Sequence, residues 1–157
     1  MPVPKVLPMS HLRARIASLL LLCVIAAGCS RPAEGAPIVT VYKSPTCGCC
    51  TAWEDHLRES GFQVQSHSID DLRQVKAQQN VPQALGSCHT AVVEGYTVEG
   101  HVPADVIRRL IAERPAIDGV AVPGMPMGSP GMEGPYVESY EVFSFKDGEP
   151  VDVYEVR

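Results

Sequence analysis

Basic charge is what this sequence is short of. Lys and Arg total 13 against 18 Asp and Glu, a formal net charge of -5. Lys5, Arg13 and Arg15 fall within the first 28 positions, which hold no acid, so the remainder sets ten basic against eighteen acidic residues. Nucleic-acid binders present a basic stripe that displaces phosphate counterions. None exists here, and nucleic acid is excluded as a partner. An acidic surface draws cations instead, without choosing among them. Internal repeats and long biased stretches are also missing, which excludes solenoid and largely disordered architectures. The apolar run Ile16 to Ala27 falls short of the ~20 residues that a spanning helix needs. A 157-residue chain without its leader suits one compact domain with a genuine core.

The leader has the form of an export signal, with Arg13 and Arg15 before the apolar run and Ala26, Ala27 and Gly28 before Cys29. The expected division is residues 1–28 signal, 29–36 lipidated N-terminus and tether, and 37–157 functional domain. Cleavage before Cys29 resembles the lipobox of bacterial lipoproteins, where the thiol receives a diacylglycerol. Ser30 lacks the Asp that retains lipoproteins at the inner membrane, so the expected location is periplasmic, anchored by lipid to the outer membrane. The alternatives are an ordinary cleaved signal or an uncleaved anchor.

Six cysteines reduce to four once Cys23 leaves with the signal and Cys29 is lipidated: Cys47, Cys49, Cys50 and Cys88. Four thiols in an oxidising compartment commonly make two disulfides. With Cys49 and Cys50 adjacent and Cys47 two residues before Cys49, at least one of these three must look elsewhere for a partner.

Ile38 to Lys43 is β-branched and aromatic and predicts a strand ended by Ser44-Pro45-Thr46. Trp53 and Leu57, four apart, predict a helix from the cysteines to about Ser60. A second strand is expected over Phe62 to Ile69, with Asp70-Asp71 opening a helix to about Gln79. Thr90 to Val93 and Tyr96 to Glu99 form a hairpin around Glu94-Gly95, and Pro103 opens a helix through about Glu113. A Gly/Pro/Met loop, Val122 to Pro135, precedes a last hairpin around Asp147-Gly148, expected to pack on a sheet edge or fold over the site. The fold class is α/β, a thioredoxin-like β-α-β-α-β-β-α order with an added C-terminal β-hairpin. In that arrangement the first and third strands are antiparallel neighbours, so Cys88, His89 and His101 should converge on the cysteine turn.

Cys47 and Cys50 have the C-x-x-C spacing of thiol oxidoreductases, where a helix N-terminus stabilises the attacking thiolate. Cys49 adds a third thiol to that turn, able to attack the disulfide or to share a metal. Bridging thiolates suit monovalent copper, which is soft and content with two or three ligands. Met125 and Met127, with Met132 behind them, sit in a loop too rich in Gly and Pro for a core segment. Beside thiolates, thioether ligation of copper explains them better than gap filling does. His89 and His101 are either strand-end histidines satisfied by carbonyls or ligands. His56 and His67 are expected to face solvent, and Trp53 and Tyr96 to be core or site cover.

The blocks Y-K-S-P-T-C-G-C-C (Tyr42 to Cys50), S-C-H-T-A (Ser87 to Ala91), E-G-H-V-P (Glu99 to Pro103) and M-P-M-G-S-P-G-M-E (Met125 to Glu133) together resemble the CopG-type copper-resistance proteins, over roughly Ile38 to Val156. These are exported, thioredoxin-like metal-binding proteins. The resemblance implies a multinuclear copper cluster, Cu(I) preferred, bridged by Cys47, Cys49, Cys50 and Cys88, with Met125, Met127, His89 and His101 as further ligands. It also implies copper redox cycling in periplasmic copper handling, alongside other copper-handling proteins. Two competing expectations stand beside it. One is a thiol-disulfide oxidoreductase in which Cys47 attacks and Cys50 resolves, against which Val81-Pro82 lies too far before the third strand to be the cis-proline of thioredoxins. The other is a four-cysteine zinc or iron-sulfur site, which leaves the methionines unexplained.

Overall fold

The computed structural model describes residues 35–157, so the export signal, Cys23 and Cys29 lie outside the described residues. Seven strands form one sheet in the order β2-β1-β3-β4-β5-β6-β7. They are β1 (Ile38–Lys43), β2 (Gln63–Ser68), β3 (His89–Val93), β4 (Tyr96–Gly100), β5 (Gly119–Val122), β6 (Glu141–Lys146) and β7 (Glu149–Val156). Three helices accompany them: α1 (Gly48–Glu59), α2 (Arg73–Gln78) and α3 (Ala104–Glu113). None of these helices is long and apolar enough to cross a membrane.

β1 lies parallel to β2 and antiparallel to β3, the neighbour relation expected from the element order. Strand side chains alternate between faces. Val39 and Val41 of β1, Ala91 and Val93 of β3, and Val98 of β4 therefore meet on one face, where they join the main core. Helix α1 contributes Trp53 and Leu57 to that core and α3 contributes Val106, Ile107 and Leu110, each set at the three-to-four residue spacing of a helix's apolar stripe. On the other face Thr90 and Glu99 meet Lys76 of α2, and a smaller cluster of Leu85, Ala121 and Phe145 closes the far half of the sheet.

The thioredoxin-like expectation holds for the order β1-α1-β2-α2-β3-β4-α3 and for the β1-β3 pairing. Elsewhere the structure departs from it. Helix α2 is short, with six residues, although Asp71 opens it as expected: its Oδ1 accepts the Arg73 N–H at 3.0 Å and Leu72 between them has helical angles. No peptide bond among the described residues is cis, and Cys88 occupies the position directly before β3. Strand β2 is a sheet edge, with only Val64 half-buried, so its alternation carries little packing.

A further strand, β5, was not anticipated. Its sequence, Gly119-Val120-Ala121-Val122, is buried at all four positions, as a central strand must be, and so lacks the alternation that marks a half-buried one. β5 pairs parallel with β4 and antiparallel with β6, so the C-terminal hairpin continues the sheet. Both hairpin turns have the left-handed pair of residues that two-residue turns require: Glu94 and Gly95 at φ 49° and 87°, Asp147 and Gly148 at φ 52° and 80°.

Leu57 is fully buried beneath α1. Leu57→Ala should cost about 2–5 kcal/mol of unfolding free energy, read as a lower urea midpoint with unchanged slope.

Candidate metal centre

Helix α1 begins inside the cysteine cluster. Cys47 is its N-cap, with extended backbone angles, and Cys49 and Cys50 lie in its first turn. All three sulfurs therefore sit where unpaired helical N–H groups and the helix dipole favour negative charge. Cys47 and Cys50 are joined as a disulfide, with Cα atoms 5.4 Å apart. Cys49 Sγ lies 3.5 Å from Cys47 Sγ and, with Cys88, retains a free thiol.

The β1-β3 pairing sets Lys43, the last residue of β1, opposite His89, the first of β3. Cys88 is consequently carried onto the cysteine turn, with its carbonyl oxygen 3.8 Å from Cys50 Sγ. The four sulfurs lie within 4.8 Å of one another, and Cys88, His89 and His101 form a second group that meets the same limit. Cys88 is the hinge between the two, with Sγ 3.3 Å from His89 Nδ1 and 3.1 Å from His101 Nε2.

The histidines differ in what holds them. His101 Nδ1 donates to the Pro130 carbonyl at 2.7 Å, which leaves Nε2 of the neutral ring as a lone-pair donor aimed at Cys88. A ligating histidine is commonly oriented by such a bond at its other nitrogen. His89 is fully buried, its ring 4.3 Å from Trp53 and edge-on to His101 at 5.0 Å, and its Nε2 has no hydrogen-bond partner. Trp53 serves as core and site cover together, anchored by Nε1 donating to the Val102 carbonyl at 2.8 Å.

The glycine-rich loop after β5 closes the site from outside. Gly131, at φ +82°, packs so tightly on the first turn of α1 that an added Cβ would lie 2.7 Å from both Cys49 O and Trp53 N. Only glycine fits there. Met125 is exposed on this loop, and the Met127 sulfur packs against Gly134. The anchors of the loop, the Pro130 carbonyl and the Gly131 backbone, were not among the sequence candidates. A carbonyl leaves no trace in residue type, although S-P-G inside the methionine block marked the turn. His56 also departs from expectation: it is half-buried, and its Nε2 accepts the Ala104 N–H at 3.2 Å, capping α3. His67 is exposed, stacked on Tyr42.

Charged groups reach the site only from its margins: Lys43 and Lys76 act on His89, and Glu133 on His101. Ser44 to Trp53, Ala77 to Val93 and Gly119 to Met132, the segments that enclose it, contain no Asp, Glu, Lys or Arg. Neither ligand group includes a carboxylate. Burial first, and then the neighbouring Cys49, push the Cys88 thiol up to about 12, so it is protonated at neutral pH. Burial, reinforced by His101, holds His89 well below the ordinary 6.5, and burial lowers His101 as well. The donor set is thus neutral and soft when empty, suited to metals that bind sulfur and imidazole.

Two solved structures resemble this chain closely. One, titled copper resistance protein CopG, form 2, is 42% identical with a TM-score of 0.73, and the match covers 78% of this chain and 99% of that one. The chain belongs to the CopG family of copper-resistance proteins. Form 1 of CopG matches at the same identity and TM-score, covering 98% of its own length. A family model described as a protein of unknown function, DUF411, matches residues 85–132, the stretch from before Cys88 through Met132. Among curated proteins there is no match. The CopG likeness is one of mixed α/β fold over most of this chain.

His89 also supplies a pH test. Its folded-state pKa is below the unfolded value, so at pH above 6.5 it is neutral in both states and stability is at its full level. As pH falls below 6.5 the unfolded chain takes up the proton first, and stability drops until the folded-state pKa is reached. The urea unfolding free energy should lose about 1.4 kcal/mol per pH unit from this residue in that window. His89→Phe should remove that share of the slope.

Proposed function

We propose that this chain is an exported copper-binding protein that serves copper resistance by holding Cu(I) between Cys47, Cys49, Cys50 and Cys88. His101 and His89 stand beside Cys88, and Met125 and Met127, on the loop whose Pro130 and Gly131 pack on the site, would join as further ligands on copper binding. The observation that carries this is the convergence of four sulfurs and two imidazoles, with no carboxylate, in a chain 42% identical to a copper resistance protein. Zinc would accept four thiolates, but it would leave the methionines without a role. The leader supports export, and Cys29 supports a lipid anchor on the periplasmic side of the outer membrane.

Copper loading needs the Cys47–Cys50 disulfide opened, since a disulfide sulfur has no thiolate charge to give. Two electrons and two protons convert it to two thiols. Those electrons can come from a periplasmic dithiol, which leaves as its disulfide, or from two Cu(I) ions, which leave as two Cu(II). The second route makes the protein a copper oxidoreductase and gives redox cycling a defined stoichiometry. Cu(I) then displaces a proton from each thiol it binds. Cys88, with its thiol at about 12, holds its proton across the neutral range, so affinity for Cu(I) should rise with pH by about tenfold per unit for each proton displaced.

Protein purified from copper-supplemented cells should carry several copper ions per chain by elemental analysis, and Cys49→Ser should lose most of them. A native protein with copper near zero would end this reading. The alternative, a thiol-disulfide oxidoreductase, draws on the disulfide at the N-terminus of α1. It requires turnover in dithiol oxidation or insulin reduction without copper. Copper-free protein is expected to be inactive in both, because Cys49 stands 3.5 Å from Cys47 and competes for any mixed disulfide.

A further inference from the structure

Behind the metal centre, on the opposite face of the sheet, lies a buried charged group that the ligand chemistry does not use. Glu99 of β4 is fully buried. Its Oε1 accepts the Ser87 backbone N–H at 2.5 Å and pairs with Lys76 Nζ of α2; its Oε2 accepts the Thr90 hydroxyl at 2.7 Å. Lys76 Nζ also donates to Thr90 Oγ1 at 3.1 Å. Buried ion pairs are weak devices for stability, since apolar pairs of similar volume commonly do as well. What an apolar pair cannot do is accept the Ser87 N–H. That N–H belongs to the residue directly before Cys88, in a stretch that no strand pairing holds: β3 begins only at His89. Gly100, at φ +72°, completes the seat, because a Cβ there would lie 2.6 Å from Ser87 Oγ.

We propose that Glu99 is a positioning residue for the metal centre: its carboxylate, clamped by Lys76 and Thr90, fixes the Ser87–Cys88 segment and so sets the Cys88 sulfur opposite the α1 cysteines and His101. Glu99 is not a ligand, since both its oxygens are occupied on the far face of the sheet. The inference rests on the copper-thiolate reading for its consequence and on geometry for its cause.

Two double variants separate positioning from stability and from charge. Lys76→Met with Glu99→Gln removes both charges and keeps an amide oxygen for Ser87 N; Lys76→Met with Glu99→Leu removes the acceptor too. Reduced protein is titrated with Cu(I) against a chromophoric chelator, and Cys88 alkylation by iodoacetamide is followed by mass spectrometry in the metal-free protein. The Gln double should match the native protein in both. The Leu double should stay cooperatively folded with a thermal midpoint a few degrees lower, since the Ser87 N–H loses its acceptor, bind Cu(I) about tenfold or more weakly, and alkylate faster at Cys88. Should the Leu double not fold, Thr90→Val loosens the carboxylate's clamp while leaving Glu99, Lys76 and the Ser87 N–H in place, and is expected to move Cu(I) affinity and Cys88 alkylation in the same directions; native values in it then overturn the inference. Native affinity and alkylation rate in the acceptor-deleted variant, or equal loss in both doubles, overturns the inference. Because alkylation is read without copper, a native protein that takes up no copper defeats the copper reading alone, and the alkylation rates still decide the role of Glu99.

Discussion

The antiparallel pairing of β1 with β3 is the constraint on which the rest of the molecule depends. Its register, Val39 opposite Val93 and Lys43 opposite His89, is chosen by the core, because Val39, Val41, Ala91 and Val93 must all face α1 and α3. A one-residue slip would turn each of these to the other face and carry the start of β3 about 3.3 Å along the strand. Cys88 would then leave the reach of Cys50, and His89 would leave Trp53. Ordinary hydrophobic packing thus fixes the spacing of the sulfurs, and the site inherits its geometry from residues that never touch a metal.

The second half of the chain closes what the first half builds. β5 runs beside β4 and delivers the loop that follows it to the end of the sheet where His101 emerges. From there the loop crosses to α1, places its Pro130 carbonyl on His101 and lays Gly131 on the Cys49 backbone. The C-terminal hairpin, paired to β5, holds the far end of that loop in the same sheet. The extension beyond a thioredoxin-like domain therefore makes part of the metal centre's wall, and it orients a histidine through a backbone atom.

Much of this was legible in residue order. β1, α1 and both hairpins announce themselves by β-branched runs, a four-residue apolar spacing and Glu-Gly or Asp-Gly turns, all local signals. Convergence of Cys88, His89 and His101 followed from topology, once the antiparallel neighbours were assumed. β5 escaped because a strand buried on both faces has no alternation, and because glycine at position 119, needed where a Cβ would lie 2.1 Å from Thr97 O, reads as a breaker. The Asp70-Asp71 pair did mark a helix start, since Asp71 Oδ1 accepts the Arg73 N–H and Leu72 between them is already helical. The disulfide between Cys47 and Cys50, with Cys49 left free, was one of several pairings the spacing allowed, and spacing alone could not choose among them.

Selectivity in such a centre comes from what is kept away from it. A hard divalent cation seeks carboxylate oxygens above all, and the segments Ser44 to Trp53, Ala77 to Val93 and Gly119 to Met132 contain none. The carboxylate of Glu99 is turned to the opposite face and saturated by Lys76, Ser87 and Thr90, so it adds no negative potential that a hard ion could use. The half-buried thiol of Cys88 keeps its proton, which spares the fold the cost of an unpaired thiolate away from water. An ion enters only if its bond to sulfur outweighs the loss of that proton. A soft, sulfur-seeking cation meets that condition more easily than one that relies on charge, so burial, which makes the thiol reluctant, also makes the site discriminating.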